Sequence, residues 1–216
     1  MYTPPAFAVD DPRAVLSDLL VDHAATLVST GADGQRVTVL PLLVEEDAGG
    51  GLVLRGHLAR ANPHATVADG TPTVATVVGP QGYVTPSWYP SKAEHGRVVP
   101  TWDYVAAVAT GLLRTIDDPD WLVALVTRLT ERHEAGRSRP WAVSDAPEDF
   151  VARQARAIVG VELAVERLEA KVKLGQNKAG ADQAGVVAGL RAERPPSDPL
   201  TAAVEAAVSG ADGGRR

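Results

Sequence analysis

The sequence predicts a mainly β, α+β domain: a small antiparallel β-barrel with helices at its flanks. Three observations predict it. Short apolar runs recur along the chain, each closed by Gly, Pro, Asn or Asp. Amphipathic segments with helix-start signals stand at the flanks of those runs. The 216 residues are 45% hydrophobic, with a mean hydropathy of -0.04, which is enough apolar material for one sizeable core.

Each element has its own signal. Asp10-Asp11-Pro12 can cap and start a helix whose Val15, Leu16, Leu19 and Leu20 share one face as far as His23. Residues 24–30 read as a strand, and Gly31-Ala32-Asp33-Gly34 as the turn after it. Residues 36–45 read as a second strand interrupted by Pro41, where a bulge or a freed edge is expected. A turn at 47–51 and a third strand at 52–56 complete a meander. Residues 58–67 suit a short helix limited by Pro63, and residues 72–78 another strand. Residues 79–97 read as a long loop carrying Tyr83, Trp88 and Tyr89, a kind of loop that is usually functional when ordered. Residues 98–116 are extended.

Residues 118–134 read as a helix, with Asp118 as cap, Pro119 in the first turn and Trp121, Leu122, Leu125, Val126 and Leu129 on its buried side. A short helix follows at 147–157. Residues 161–173 alternate as a strand, with Val161, Leu163 and Val165 inward and Glu162 and Glu166 outward. A polar loop at 175–180 precedes a helix at 181–192. After Arg191 the composition changes at Pro195-Pro196-Ser197-Asp198-Pro199, and a short helix is the most expected beyond it. Residues 1–192 are therefore expected to form the domain, and residues 193–216 a mobile tail that contributes little to it.

Twenty-one Lys and Arg stand against 27 Asp and Glu, for a net charge of -6. No helix-turn-helix with a basic second helix is present, so direct nucleic-acid binding is not expected. The chain has no cysteine, which excludes disulfides, thiolate metal sites and a Cys nucleophile. No run approaches the ~18 apolar residues of a membrane span, and residues 1–5 lack the features of a signal peptide. The expected compartment is the cytoplasm. The histidines, His23, His57, His64, His95 and His133, lack the spacing of a helical metal site; no metal is expected. Phosphate-binding, dinucleotide and nucleophile-elbow motifs are absent.

Four segments carry polar chemistry. Gly56 to His64 follows a strand, and Arg55, His57 and Arg60 around it suit a phosphate as well as they suit a solvated helix start. Gly79 to Lys92 presents aromatic faces and hydroxyls on a proline-stiffened loop, able to wall a planar ligand or to plug a barrel end. The third is Val98-Val99-Pro100-Thr101-Trp102-Asp103-Tyr104. The fourth, Lys171-Val172-Lys173-Leu174-Gly175-Gln176-Asn177-Lys178, leaves a strand with Lys171 and Lys173 on one side. Taken singly, each also reads as solvated surface.

In this order the four segments resemble the FMN-binding negative transcriptional regulator family of the PaiB type. So do the opening Met1-Tyr2-Thr3-Pro4-Pro5-Ala6-Phe7, the stretch Leu129-Thr130-Glu131-Arg132-His133-Glu134 with Pro140-Trp141, and Ala157-Ile158-Val159-Gly160-Val161-Glu162-Leu163. The resemblance covers about residues 1–192. Three positions depart from the family pattern: Asp103 stands for its Asn, Val108 for its His and Gly175 for its Ser. The resemblance implies a split β-barrel of the flavin-reductase and pyridoxamine-phosphate-oxidase type, a homodimer, and FMN in a cleft between subunits.

It further implies a phosphate near Arg55, His57, Arg60 and Asn62. The flavin ring would lie against the Val39-Leu40-Pro41 backbone, with Trp88, Thr101, Trp102 and Asp103 nearby, and Lys171, Lys173, Gln176 and Asn177 near the cleft. The implied function is a flavin-dependent oxidoreductase or accessory redox protein acting on a small molecule. A regulator acting through a ligand or partner is the alternative, and haem held by His57 or His64 is the minority one.

Overall fold

The computed structural model describes residues 1–32 and 34–213. Asp33 of the expected turn and residues 214–216 of the expected tail lie outside the described residues. The chain divides into two compact units. The larger takes Pro12–Val77 and Ala107–Glu169; the smaller takes Met1–Asp11, Val78–Ala106 and the chain from Ala170.

The larger unit is built on an antiparallel sheet of seven strands. These are β1 (Ala25–Gly31), β2 (Gly34–Leu40), β3 (Leu43–Glu46), β4 (Leu52–Ala59), β5 (Thr71–Val84), β6 (Thr101–Ile116) and β7 (Ile158–Lys173). Their order is β2-β1-β5-β6-β7-β4-β3. The last three are long, and their outer portions belong to the smaller unit. Alternation explains the pairing: β1 buries Ala25, Leu27 and Ser29 and leaves Thr26 and Val28 half-buried. On that outer face Val28 stands opposite Val37 of β2 and Val74 of β5. Pro41 ends β2 and stands exposed before β3, as its missing donor requires. Gly56 lets β4 pass beneath this link, because a side chain there would meet the Pro41 carbonyl at 2.8 Å.

Helices cover the sheet. α1 (Pro12–Asp22) buries Leu16, Leu19 and Leu20. In α3 (Pro119–Glu134) the Asp118 carboxylate accepts the N–H groups of Asp120 at 2.9 Å and Trp121 at 3.2 Å, which satisfies two free donors of the first turn. This helix buries Leu122, Leu125 and Leu129, and Trp121 occupies the space left by Gly160. α4 (Glu148–Ala155) follows. The structure departs from expectation at residues 58–67: β4 runs on to Ala59 because Leu58 and Ala59 pair with Val159 and Ile158. Only Pro63–Thr66 turns, capped by Asn62. Glu162, expected outward, is buried; it is held between Arg55 and Arg114, which makes its burial tolerable.

In the smaller unit the expected loop at 79–97 is largely structured. β5 continues through Val84, Thr85 caps a short turn at Pro86–Trp88, and α2 (Ser91–His95) ends at Gly96 with φ 63°. α5 (Gly180–Glu193) and α6 (Pro199–Gly213) pack with Val84, Tyr89 and Leu174. Within that cluster Leu200 is 1% and Val204 0% exposed. The chain beyond the proline linker thus differs from the expected tail. The composition break marks a turn, at which Asp198 accepts bonds from the Thr201 N–H (2.8 Å) and hydroxyl (2.9 Å) and from Arg194 (2.9 Å). No helix among the described residues is long and apolar enough to cross a membrane.

Candidate functional site

A cavity of about 180 Å³ opens in the smaller unit. Thr101 and Asp103 reach it from the start of β6, and Lys173 to Lys178 from the end of β7. Phe7, Tyr89, Val186 of α5 and Val204 of α6 supply apolar walls. At the cavity the Lys173 ammonium donates to the Thr101 hydroxyl, to the Trp102 carbonyl and, at 3.4 Å, to the Asp103 carboxylate. Asp103 is 2% exposed. Burial pushes its carboxyl above the usual range, and the Lys173 charge offsets that only in part.

The β7 exit is shaped by backbone needs. Gly175 adopts φ 82°, a left-handed conformation that favours glycine. Gln176 accepts from the Leu174 N–H and donates to the Val172 carbonyl, both at 2.8 Å, so its amide holds the turn. Asn177 and Lys178 line the cavity, with the Lys178 ammonium 4.8 Å from the Tyr89 ring centre. Lys171 is buried among the rings of Tyr2, Phe7 and Tyr104, 5.3 to 5.8 Å from their centres, and donates to the Tyr2 carbonyl. It fastens the N-terminal segment by cation–π attraction and a hydrogen bond. The Trp102 indole donates to Gln81, and that of Trp88 to Glu193.

The remaining expected residues belong to the larger unit. Arg55 donates to Glu162 at 2.6 Å and to Glu45 at 2.8 Å, and Arg128 also donates to Glu45. Both glutamates are held below the usual carboxylate range: burial pushes them up, and the arginine hydrogen bonds overcome it. Arg60 grips the Asp117 carboxylate through both terminal nitrogens and also donates to the Arg156 and Ile158 carbonyls. His64 is 1% exposed, with Nε2 2.7 Å from the Ser29 hydroxyl and Nδ1 3.1 Å from that of Thr38. Asn62 accepts from the His64 N–H and donates to Thr38. His57 has a buried Nδ1 with no partner. Val39 and Pro41 are exposed and Leu40 is buried.

Thr101, Asp103, Lys173 and Asn177 therefore meet at one cavity, with Gln176 shaping its rim and Lys171 fastening the segment that carries Phe7. Sequence reasoning missed Gln183, Val186 and Val204 as lining residues, because their helices carry only ordinary apolar spacing. It also missed the charge network of Glu45, Arg114, Arg128 and Glu162, which joins residues far apart in the chain. Among the described residues no cluster of three His, Asp or Glu side chains could hold a metal ion.

The cavity joins apolar walls to a polar edge. Its apolar walls can cover flat ring faces, and its ammonium, amide and hydroxyl groups match a polar ring edge. The seven-stranded antiparallel sheet with its flanking helices is that of a split barrel. The chain belongs to the family described as "Putative FMN-binding domain", whose model matches residues 1–167. It is 27% identical to the protease synthase and sporulation protein PAI 2 of Bacillus subtilis, over 91% of this chain and 92% of that one. An uncharacterized protein of Emericella nidulans is 33% identical over 64% of this chain. The chain spans just under two thirds, 66% and 65%, of the length of this and a second fungal relative. The FAD and heme binding protein from Mycobacterium smegmatis shares the fold, with a TM-score of 0.53 and 22% identity over 80% of this chain and 77% of that one.

Proposed function

We propose that the protein is an FMN-dependent oxidoreductase or accessory redox protein, with the flavin ring held at the cavity of Thr101, Asp103, Lys173 and Asn177. The observation that carries this reading is the convergence of separate polar motifs on one cavity, with the buried Asp103–Lys173 pair at it. Bound FMN supplies the electron or hydride chemistry, so no protein nucleophile is needed. Lys173 is pinned at the wall by the Thr101 hydroxyl and the Trp102 carbonyl. Asp103 can hold a proton or release it, because burial opposes its charge while Lys173 favours it. Val99, Pro100 and Val204 exclude water from the same space. Trp88, Trp102, Gln176 and Lys171 are proposed to support this wall. Val39, Leu40 and Pro41 are proposed as backbone neighbours of the ligand.

Arg60 is the proposed phosphate partner. Its side chain is 43% exposed and that of its Asp117 partner 63%, and so open a pair is weak enough for a dianion to displace. Arg55, His57 and Asn62 are proposed to shape the same strand end. A homodimer is also proposed. Val28, Val37, Val39 and Leu112 leave one sheet face apolar; Val37 is 62% and Val39 66% exposed, and a second copy would cover that face. The protein is proposed to work in the cytoplasm. A regulator acting through a ligand or partner is the proposed alternative; the Bacillus relative is named for protease synthesis and sporulation. Haem remains the minority alternative, since the mycobacterial neighbour is described as binding it.

The test is the visible spectrum of the full chain after incubation with FMN and gel filtration. Retained flavin, lost in Lys173→Ala, is expected. No retained flavin, or retention unchanged by Lys173→Ala, would overturn the assignment, and a Soret band would move it to haem.

A further inference from the structure

We propose that the cleft between α3 and α4 is a second binding site, one that takes a small, neutral aromatic molecule bearing a hydroxyl group. The cleft belongs wholly to the larger unit. Its inner part, about 270 Å³, is lined by His57 of β4, Val126 of α3, Phe150 and Val151 of α4, Trp141 and Ile158. An outer part of about 490 Å³ shares Thr130 and Val151 with it, so the two are continuous.

His57 is the first pointer. Its imidazole lines an otherwise mainly apolar wall, and its Nδ1 is buried without a partner. A strand position facing an apolar helix normally carries an apolar residue, because a polar group left unpaired in a core is costly. Burial holds the imidazole below its ordinary pKa, so near neutrality it is uncharged, with one nitrogen a donor and the other an acceptor. A hydroxyl can answer either nitrogen, whereas a carbonyl or an ammonium answers only one.

Aromatic chemistry is the second pointer. Trp141 is 48% and Phe150 43% exposed at this cleft; the Arg153 guanidinium lies 5.4 Å from the Phe150 ring centre, so the Trp141 indole is the exposed ring that another ring covers best. Charge is the third. Glu131 and Glu148 line the outer part, and no Lys or Arg lines either part among the described residues. Such a rim disfavours carboxylates, phosphates and the propionates of a tetrapyrrole, and leaves neutral molecules as the matching class.

The experiment titrates the full chain with p-cresol and, separately, with toluene, which has the same ring and no hydroxyl. Tryptophan fluorescence and the His57 imidazole NMR signals report binding. Saturable p-cresol binding that shifts the His57 signals is expected, with toluene about tenfold weaker, the size of one hydrogen bond. His57→Leu, checked by its melting curve, should erase that preference, and Phe150→Ala should weaken both probes. The proposal fails if p-cresol does not saturate, or if His57→Leu keeps the preference. It also fails if added hemin gives a Soret band that His57→Leu abolishes, which would assign the cleft to haem.

Discussion

Truncating the chain after Ser197 removes α6, the helix beyond the proline linker. It strips Leu200 and Val204, 1% and 0% exposed, from the cluster formed with Val84, Tyr89, Leu174, Val186 and Leu190. Burying one such side chain is worth about 1.5–3 kcal/mol, so the pair contributes about 3–6 kcal/mol. For a chain of this size each kcal/mol moves the melting temperature by about 2–4 °C. The truncated protein should therefore melt about 6–24 °C lower, or show a separate early transition from the smaller unit. Val204 and Val208 also wall the cavity, so FMN retention should fall as well. Calorimetry of the two proteins, with Leu200→Ala as an intermediate case at about 2–5 kcal/mol, reads the effect. A shift within about 2 °C together with unchanged FMN retention would refute the reasoning and make the helix dispensable.

Four further outcomes are expected. Burial raises the pKa of Asp103, so between its ordinary value and the raised one the folded chain keeps a proton that the unfolded chain has lost; stability falls as pH rises through that window. Asp103→Asn should then raise the melting temperature at neutral pH, lose that advantage below about pH 4, and raise the midpoint potential of bound FMN by removing a negative charge. A pH series of melting curves and a redox titration check this, and equal potentials would restrict Asp103 to a structural role. Arg60→Ala should weaken FMN about ten- to hundredfold more than riboflavin at little cost in melting temperature. Arg55→Ala should instead destabilise the fold by up to about 3 kcal/mol, because it strips one partner each from Glu45 and Glu162, and it should weaken both ligands alike by calorimetric titration. Val37→Glu with Val39→Glu should convert a dimer into a monomer by light scattering, and an unchanged mass would remove this face from the interface.

Local chemistry was the legible part of the fold. Pro41 announced the break between β2 and β3, and Asp118 with Pro119 announced α3, because a missing N–H and a capping carboxylate act within a few residues of themselves. Alternation gave most of β7 for the same reason. Residues 58–67 misled because Leu58 and Ala59 take their conformation from Val159 and Ile158 on β7, a partner about a hundred residues away. Glu162 misled likewise: period two leaves a carboxylate exposed unless guanidiniums cover it, and Arg55 and Arg114 do. Proline density at 195–199 looked like the end of order, although the next turn buries Leu200. At the cavity, Thr101, Asp103, Lys173 and Asn177 could be named through the family resemblance. Val186 and Val204 could not, since one valine on a helix resembles any other until its neighbours are known.

The setting of Trp88 has a kinetic meaning. α5 carries Gly185 and Gly189 four residues apart, and side chains at either place would run into Trp88. Each glycine costs a helix about 1 kcal/mol against alanine, so this segment is a poor helix by itself. Its order is borrowed from the indole that docks in the notch. Helix formation and indole burial should accordingly be one event during refolding. Trp88 emission would then serve as a built-in clock for the assembly of the smaller unit, once Trp102, Trp121 and Trp141 are replaced by phenylalanine.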